Sequence, residues 1–286
     1  MDAFDLARAF LLKSQCADGG WPYRGGGNSS PEPTCHALLS VGAAEATARQ
    51  RGMEWLVGRL EGTGAVVLVN DSDPHWTTSL ALFTLATLGA PSAVRERCAA
   101  FLLSWEGVHA DPDPALPMDT SLRGWPWTSG AFTWVEPTGY ALLALKRAGY
   151  AGHERVAEGE RLLLDRMCDG GGWNNGNREI LGRTLPPMAS ITAWTLLALQ
   201  GAAEAEDAVT QGLAVLEHEV ARYPSTLTLA LATLACHVWE RPVEIWAQAL
   251  QKRQSEDGSW RGQTYLTALS LLALQAAMGV GNVFRL

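Results

Sequence analysis

Three stretches of this chain set acidic residues at the start of apolar runs, two of them beside tryptophan, an arrangement suited to proton transfer. Glu32-Pro33-Thr34 precedes CHALLSVGAAE, and Glu136-Pro137-Thr138 precedes GYALLALKRAGY, so one tripeptide opens two runs of helical spacing. Asp71-Ser72-Asp73-Pro74-His75-Trp76 stands before a third, TTSLALFTLATLGA. Two carboxylates at one mouth share a proton or bracket a substrate, and their pKa values then separate. Each acid also has a plainer reading. A glutamate beside a helix N-terminus is stabilised by the helix dipole, with the following proline in the first turn, and Asp73 before Pro74 has the form of an N-cap. Tyr140, one turn beyond Glu136, faces either a central cavity or a neighbouring helix.

The chain has 12 tryptophans, and several sit in glycine-rich loops, among them Trp21, Trp125, Trp127, Trp173 and Trp260. The segment GWPWTSGAFTW at 124–134 is long enough to be a lid. Trp125, Trp127, Phe132 and Trp134 either line an apolar pocket or plug one end of the protein. The upstream HADPDPALPMD is turn-rich, with solvated acids.

The elements that must position these residues come in pairs. The spacing predicts helices at about 4–15 and 33–46, 48–60 and 76–88, 92–105 and 136–149, 153–167 and 188–201, 208–221 and 226–238, and 243–253 and 264–278, with a short strand-like GAVVLV after the third helix. Second members such as LALFTLATLGA and TLTLALATLACHV are apolar almost all round, whereas first members such as HERVAEGERLLLDR carry a charged face. Buried and surface helices therefore alternate. Such alternation closes most simply into an all-α (α/α)6 toroid of six helical hairpins, one domain over 1–286, with an open solenoid as the alternative. Closure gathers the loops before the inner helices, and with them Glu32, Asp73 and Glu136, at one mouth.

Composition narrows the function. A net charge of −8 and a pI near 5.3 argue against nucleic acid as a partner. No run of about 18 apolar residues spans a membrane, and the start MDAFDLARAFLL has acids where a signal peptide is positive, so a soluble cytoplasmic protein is expected. The 5 cysteines, Cys16, Cys35, Cys98, Cys168 and Cys236, form no C-x-x-C pair, so reduced thiols are expected. The phosphate-loop, zincin and α/β-hydrolase motifs are absent.

Three first helices end alike: AFLLKSQCADGGW at 9–21, LLLDRMCDGGGW at 162–173 and ALQKRQSEDGSW at 249–260. Glutamine or methionine, an acid with glycine, and then tryptophan resembles the QW-type repeat of triterpene cyclases and protein prenyltransferase β-subunits. Physically, the glutamine caps backbone groups at the end of an outer helix, glycine permits a positive-φ turn, and tryptophan packs over it. The resemblance spans the chain and implies the α/α toroid of that group. For a class II terpenoid cyclase it implies protonation of an alkene or epoxide by the central acid of a D-x-D-D motif, with aromatic faces stabilising the cations. Asp73 is then the acid, Asp71 and His75 are its partners and Trp76 is a cavity wall, while Pro74 stands where that motif has its last aspartate.

A prenyltransferase would need zinc held by Asp, Cys and His. Neither Cys35-His36 nor Cys236-His237 offers that pattern, so no metal and no cofactor are expected. The expectation is acid-initiated cyclisation of a linear isoprenoid, with Asp73 or Glu136 as the acid and Glu32, Trp76, Trp125, Trp127, Trp134 and Tyr140 around the substrate. Full cyclases usually resemble two such toroids, so a homodimer or second subunit closing the mouth is anticipated. The alternatives are a non-catalytic toroid that binds an apolar ligand or a protein, and a carbohydrate-active helical barrel with paired carboxylates and stacking tryptophans.

Overall fold

The computed structural model describes residues 2–68, 73–111, 116, 118–180 and 182–286. Among them twelve α-helices run in order: α1 (Ala3–Ser14), α2 (Pro31–Ser40), α3 (Ala46–Val57), α4 (Thr77–Thr87), α5 (Ser92–Ser104), α6 (Val135–Arg147), α7 (Glu154–Asp165), α8 (Ala189–Ala198), α9 (Glu206–Arg222), α10 (Thr226–Val238), α11 (Glu244–Gln251) and α12 (Thr264–Ala277). Two short strands, β1 (Glu179–Ile180) and β2 (Arg183–Thr184), form an antiparallel hairpin before α8. The strand-like run after α3 contributes only isolated bridges, Leu60 with Val66 and Val67 with Pro74. Among the described residues no helix is long and apolar enough to cross a membrane.

The even-numbered helices form a closed ring in which α2, α4, α6, α8, α10 and α12 each pack on the next and α12 packs on α2. Their composition explains the placement: every residue of α4 from Thr77 to Leu85 is buried, whereas α3 buries only Gly52, Trp55 and Leu56. The pairing differs from the expected outer-then-inner hairpins. Each outer helix packs chiefly on the inner helix before it, and α1 packs on α12. The connections from inner to outer helix are short throughout, which favours those antiparallel neighbours; α9 departs from this, being joined to α10 by only Tyr223–Ser225 yet packed chiefly on α8.

Loops ahead of neighbouring inner helices bond one another and so lie at one end. Thr264 N–H donates to the Tyr23 carbonyl at 2.9 Å, Trp76 N–H to that of Trp127 at 3.0 Å, and Val135 N–H to that of Asn175 at 3.3 Å.

A repeated clamp holds the layers together. The backbone N–H groups of Trp21, Val66, Trp125, Trp173 and Trp260 donate to the hydroxyls of Thr34, Thr78, Thr138, Thr192 and Thr267 at 2.8–3.0 Å. These threonines sit on five of the six inner helices. The four indole N–H groups donate outward to the carbonyls of Leu11, Leu102, Leu163 and Leu250 at 2.6–2.8 Å. Gln15 Nε2 donates to the Ala48 carbonyl of the next outer helix at 2.9 Å, and Gln254 Nε2 repeats this on Ala3 at 2.8 Å, closing the outer layer from end to beginning.

Glycines make room for the clamp. A Cβ on Gly212 of α9 would lie 2.6 Å from the Trp173 ring, and one on Gly159 of α7 would lie 2.9 Å from Trp125. Gly212→Ala gains about 1 kcal/mol in helix propensity but overpacks a ring fixed at both ends, which costs about 1–3 kcal/mol. The expected outcome is a lower urea midpoint with unchanged circular dichroism. A raised midpoint would show that Trp173 is free to move.

Candidate functional site

The clamp fixes a register that brings specific side chains to the mouth. Two residues before the clamp threonines stand Glu32, Trp76, Glu136, Ser190 and Tyr265, and two residues after them stand His36, Leu80, Tyr140, Trp194 and Leu269. The first set rims the N-terminal ends of the inner helices. The second lies one turn deeper on the same faces.

Glu32 and Glu136 are each the second residue of their helix, α2 and α6, and both are half-buried. Burial pushes Glu32 above the usual carboxylate range, while the Tyr23 phenol, which donates to its Oε2, draws it back. Burial pushes Glu136 up to about 7; a 3.3 Å hydrogen bond from the Tyr140 hydroxyl to its Oε1 opposes the rise and the charge of Glu32 adds to it. The helix N-terminus favours a carboxylate by roughly 0.3–2 kcal/mol, less than desolvation can cost. At Glu136 desolvation wins.

Three phenols share this environment. Burial raises Tyr23, Tyr140 and Tyr265 far above neutrality, and the neighbouring carboxylates reinforce it, so all three remain donors. His36 is fully buried, and that burial lowers its pKa to about 4, so the ring is neutral. Its Nδ1 lies 2.9 Å from the Glu32 carbonyl, an acceptor only, which assigns the proton to Nδ1. His36 Nε2 is then a bare acceptor with no partner among the described residues. The ring meets Tyr265 edge-on at 5.1 Å.

An aromatic column runs inward from the mouth. Trp127 meets Trp76 at 5.2 Å, Trp76 meets Tyr140 at 4.8 Å, Tyr140 meets Trp194 at 4.7 Å, and Trp194 meets Phe284 at 5.4 Å. Tyr140, the hydrogen-bond partner of Glu136, thus joins Trp76 and Trp127 to the column.

Other expected residues lie elsewhere. Asp73 is exposed and α4 begins only at Thr77, so it is neither that helix's N-cap nor an acid in a dry site. Pro74 is held in the bridge to Val67, which keeps the chain extended there. His75, half-buried, bridges Thr128 in the adjacent loop, and Asp71 lies outside the described residues. Trp125 corrects the expectation of a pocket wall: it is fully buried in the clamp, with Arg155 over its ring at 4.5 Å. Trp134 serves as the N-cap of α6 and lines a separate cleft of ≈ 240 Å³ with Val108, Phe132 and Arg166, which neither Glu32 nor Glu136 lines.

Tyr23, His36, Trp194 and Tyr265 were not singled out for the site in the sequence. The signal that finds three of them is the repeat register counted from the threonines. Cys35, considered there as a metal ligand, is a buried free thiol that burial raises to about 12.

No family model matches the chain, and no curated protein matches it. Solved structures do. A protein from Actinoplanes superposes with a TM-score of 0.68 at 19% identity, over 96% of this chain and 98% of that one. Type II terpene cyclase MstE from Scytonema, in its apo form, gives 0.69 at 16% identity over 96% and 97%. Substituted forms of MstE with geranylgeranyl dihydroxybenzoate as substrate or merosterolic acid A as product each give 0.68, at 16% and 17% identity over 98% and 97%. An α-amylase from Clostridium perfringens gives 0.65 at 11% identity over 96% and 98%. The chain has the helical toroid fold of terpenoid cyclases.

Protonation of Glu136 couples to stability. Between the ordinary carboxylate range and about pH 7 the folded protein holds a proton that the unfolded chain has lost, so this group's contribution falls as pH rises and levels off above 7. His36, lowered to about 4, has the opposite slope, its contribution rising from pH 4 towards its ordinary value. Comparison with Glu136→Gln isolates the glutamate. The variant's stability relative to the parent is expected to grow by about 1–3 kcal/mol from pH 5 to pH 8 in urea unfolding, each pKa unit being worth about 1.4. A constant difference would place Glu136 in water.

Proposed function

We propose that this protein is an enzyme that cyclises a linear isoprenoid by acid initiation at the mouth of the toroid, with Glu136 as the acid. The observation that carries this reading is the half-buried glutamate raised to about 7 beside an aromatic wall. A carboxyl group that keeps its proton near neutral pH and stands against π faces is suited to giving that proton to an alkene and tolerating the cation formed.

The Glu136 proton adds to the CH carbon of the terminal trisubstituted alkene, whose π pair becomes the new C–H bond and leaves a tertiary cation on the dimethyl carbon. The π pair of a second alkene closes the ring and passes the positive charge along the chain. Loss of a proton from the carbon beside the last cation restores a double bond. Glu32 receives it: burial raises this carboxyl and the Tyr23 hydrogen bond opposes that rise, so Tyr23 stands ready to support its carboxylate form. Trp76, Trp127, Tyr140 and Trp194 supply the ring faces over which the cation moves. The substrate class, an apolar isoprenoid, also accords with what the MstE structures hold, at an identity that by itself speaks only for the fold.

Incubation with squalene, oxidosqualene and linear prenyl diphosphates, followed by mass spectrometry, tests the proposal. The parent is expected to form a cyclic product, at a rate falling about tenfold per pH unit above 7 as Glu136 ionises. Glu136→Gln should lower that rate by about 10²–10⁴-fold. Glu32→Gln should shift products towards alcohols formed by water capture, and Asp73→Asn should leave the rate unchanged. Cyclic product from Glu136→Gln at the parental rate would overturn the assignment of the acid. No conversion by the parent, with a control cyclase active in parallel, would overturn the reading.

A further inference from the structure

The aromatic column ends on a residue that no helix of the toroid supplies. Phe284 belongs to the segment after α12, where positive φ at Gly279 (74°) and Gly281 (137°) turns the chain back beneath the ring. The segment's side chains differ sharply in burial: Val280 is 73% exposed, whereas Phe284 is 0% exposed. The Phe284 ring stacks on Phe83 of α4 at 5.2 Å with an interplanar angle of 12°, and meets Trp194 of α8 edge-on at 5.4 Å.

The rest of the segment is hung from the C-terminal ends of the inner helices by polar hooks. Arg147 Nη2 donates to the Val283 and Arg285 carbonyls at 2.6 Å each, while the Arg147 guanidinium lies over the Phe83 ring at 5.3 Å. Gln200 Nε2 donates to the Phe284 carbonyl at 2.8 Å, and Asn282 Nδ2 to that of Leu234 at 2.8 Å. These bonds fix the backbone and so fix the height at which the ring enters the barrel.

We infer that Phe284 sets the depth of the apolar site, and with it the longest linear apolar chain the protein takes. Trp194 is the floor beneath Tyr140 and the carboxylate pair, and Phe284 is the prop beneath that floor. Neither lies on a surface where its size would be free to vary. Truncating the prop leaves a space walled by Phe83 and Trp194, rings that are themselves fixed by helices. A cavity lined by such groups stays dry and takes an apolar guest of benzene size. If Trp194 drops into it, the space reappears above the floor and the axis gains room for about one five-carbon unit; if Trp194 stays, the space beneath it admits only the small guest. That the natural guest is an isoprenoid rests on the reading proposed above; the depth itself does not.

The test compares the parent with Phe284→Ala and the gentler Phe284→Leu, all three checked for native circular dichroism. Benzene and the alcohols geraniol, farnesol and geranylgeraniol are the probes, with binding followed by calorimetry. Phe284→Ala is expected to bind benzene where the parent does not. Its preference among the alcohols should move up by one isoprene unit, with at least about tenfold tighter binding of the longer chain relative to the parent. Phe284→Leu should move the same way by less, and it carries the test if the alanine variant does not fold. A folded variant that excludes benzene and ranks the alcohols as the parent does would overturn the inference. If the parent binds none of the alcohols, the isoprenoid reading loses support, while benzene uptake still decides whether Phe284 sets the depth.

Discussion

The fold depends on one small hydrogen-bonded unit: a loop N–H held by an inner-helix threonine while the indole beside it donates to an outer-helix carbonyl. In this way Trp173 bonds Thr192 on one side and Leu163 on the other, and Trp21, Trp125 and Trp260 repeat the arrangement. Each link contributes only about 0.5–1.5 kcal/mol, but each buried N–H left without its partner would cost as much or more. Removing any one link therefore leaves its own buried N–H groups without a partner. Because every clamp is built on the loop entering an inner helix, the N-termini of those helices are brought to one end.

That convergence produces the site. Two copies of Glu-Pro-Thr arrive at one mouth, where both carboxylates lose water, and small differences in their surroundings decide their states. At Glu32 the Tyr23 phenol approaches closely and supports the charge. At Glu136 the corresponding donor, Tyr140, stands off at 3.3 Å, and the charge of Glu32 discourages a second ionisation. A repeat that is symmetric in sequence thus acquires asymmetric surroundings.

Much of this was legible in the sequence. The alternation of apolar and amphipathic helices gave the layers, and three repeated glycine–tryptophan turns marked where indoles pack, because both depend on spacing alone; the threonines that complete the clamp were not read from it. Which neighbour each outer helix prefers did not follow from spacing; closure of the ring decides it, so α1 packs on α12. The Asp71 to Trp76 stretch drew attention for its resemblance to an acid motif, but such a pattern carries no information on burial, and Asp73 is exposed. Trp125 and Trp127 looked equivalent in one loop. A bend at Trp127 sends its ring to the mouth, while Trp125 is pinned against Gly159 of α7. Phe284 lies far along the chain from everything it touches, and only the tertiary fold places it.

The account rests on the claim that burial keeps Glu136 protonated near neutral pH. The most direct measurement is a titration of the side-chain carboxyl carbons by NMR in protein labelled at glutamate, with Glu136→Gln assigning the resonance. A midpoint near 7 that vanishes in the variant is the expected result. A Glu136 carboxyl that titrates in the ordinary glutamate range, near 4.3, would contradict the account and leave the mouth without its acid.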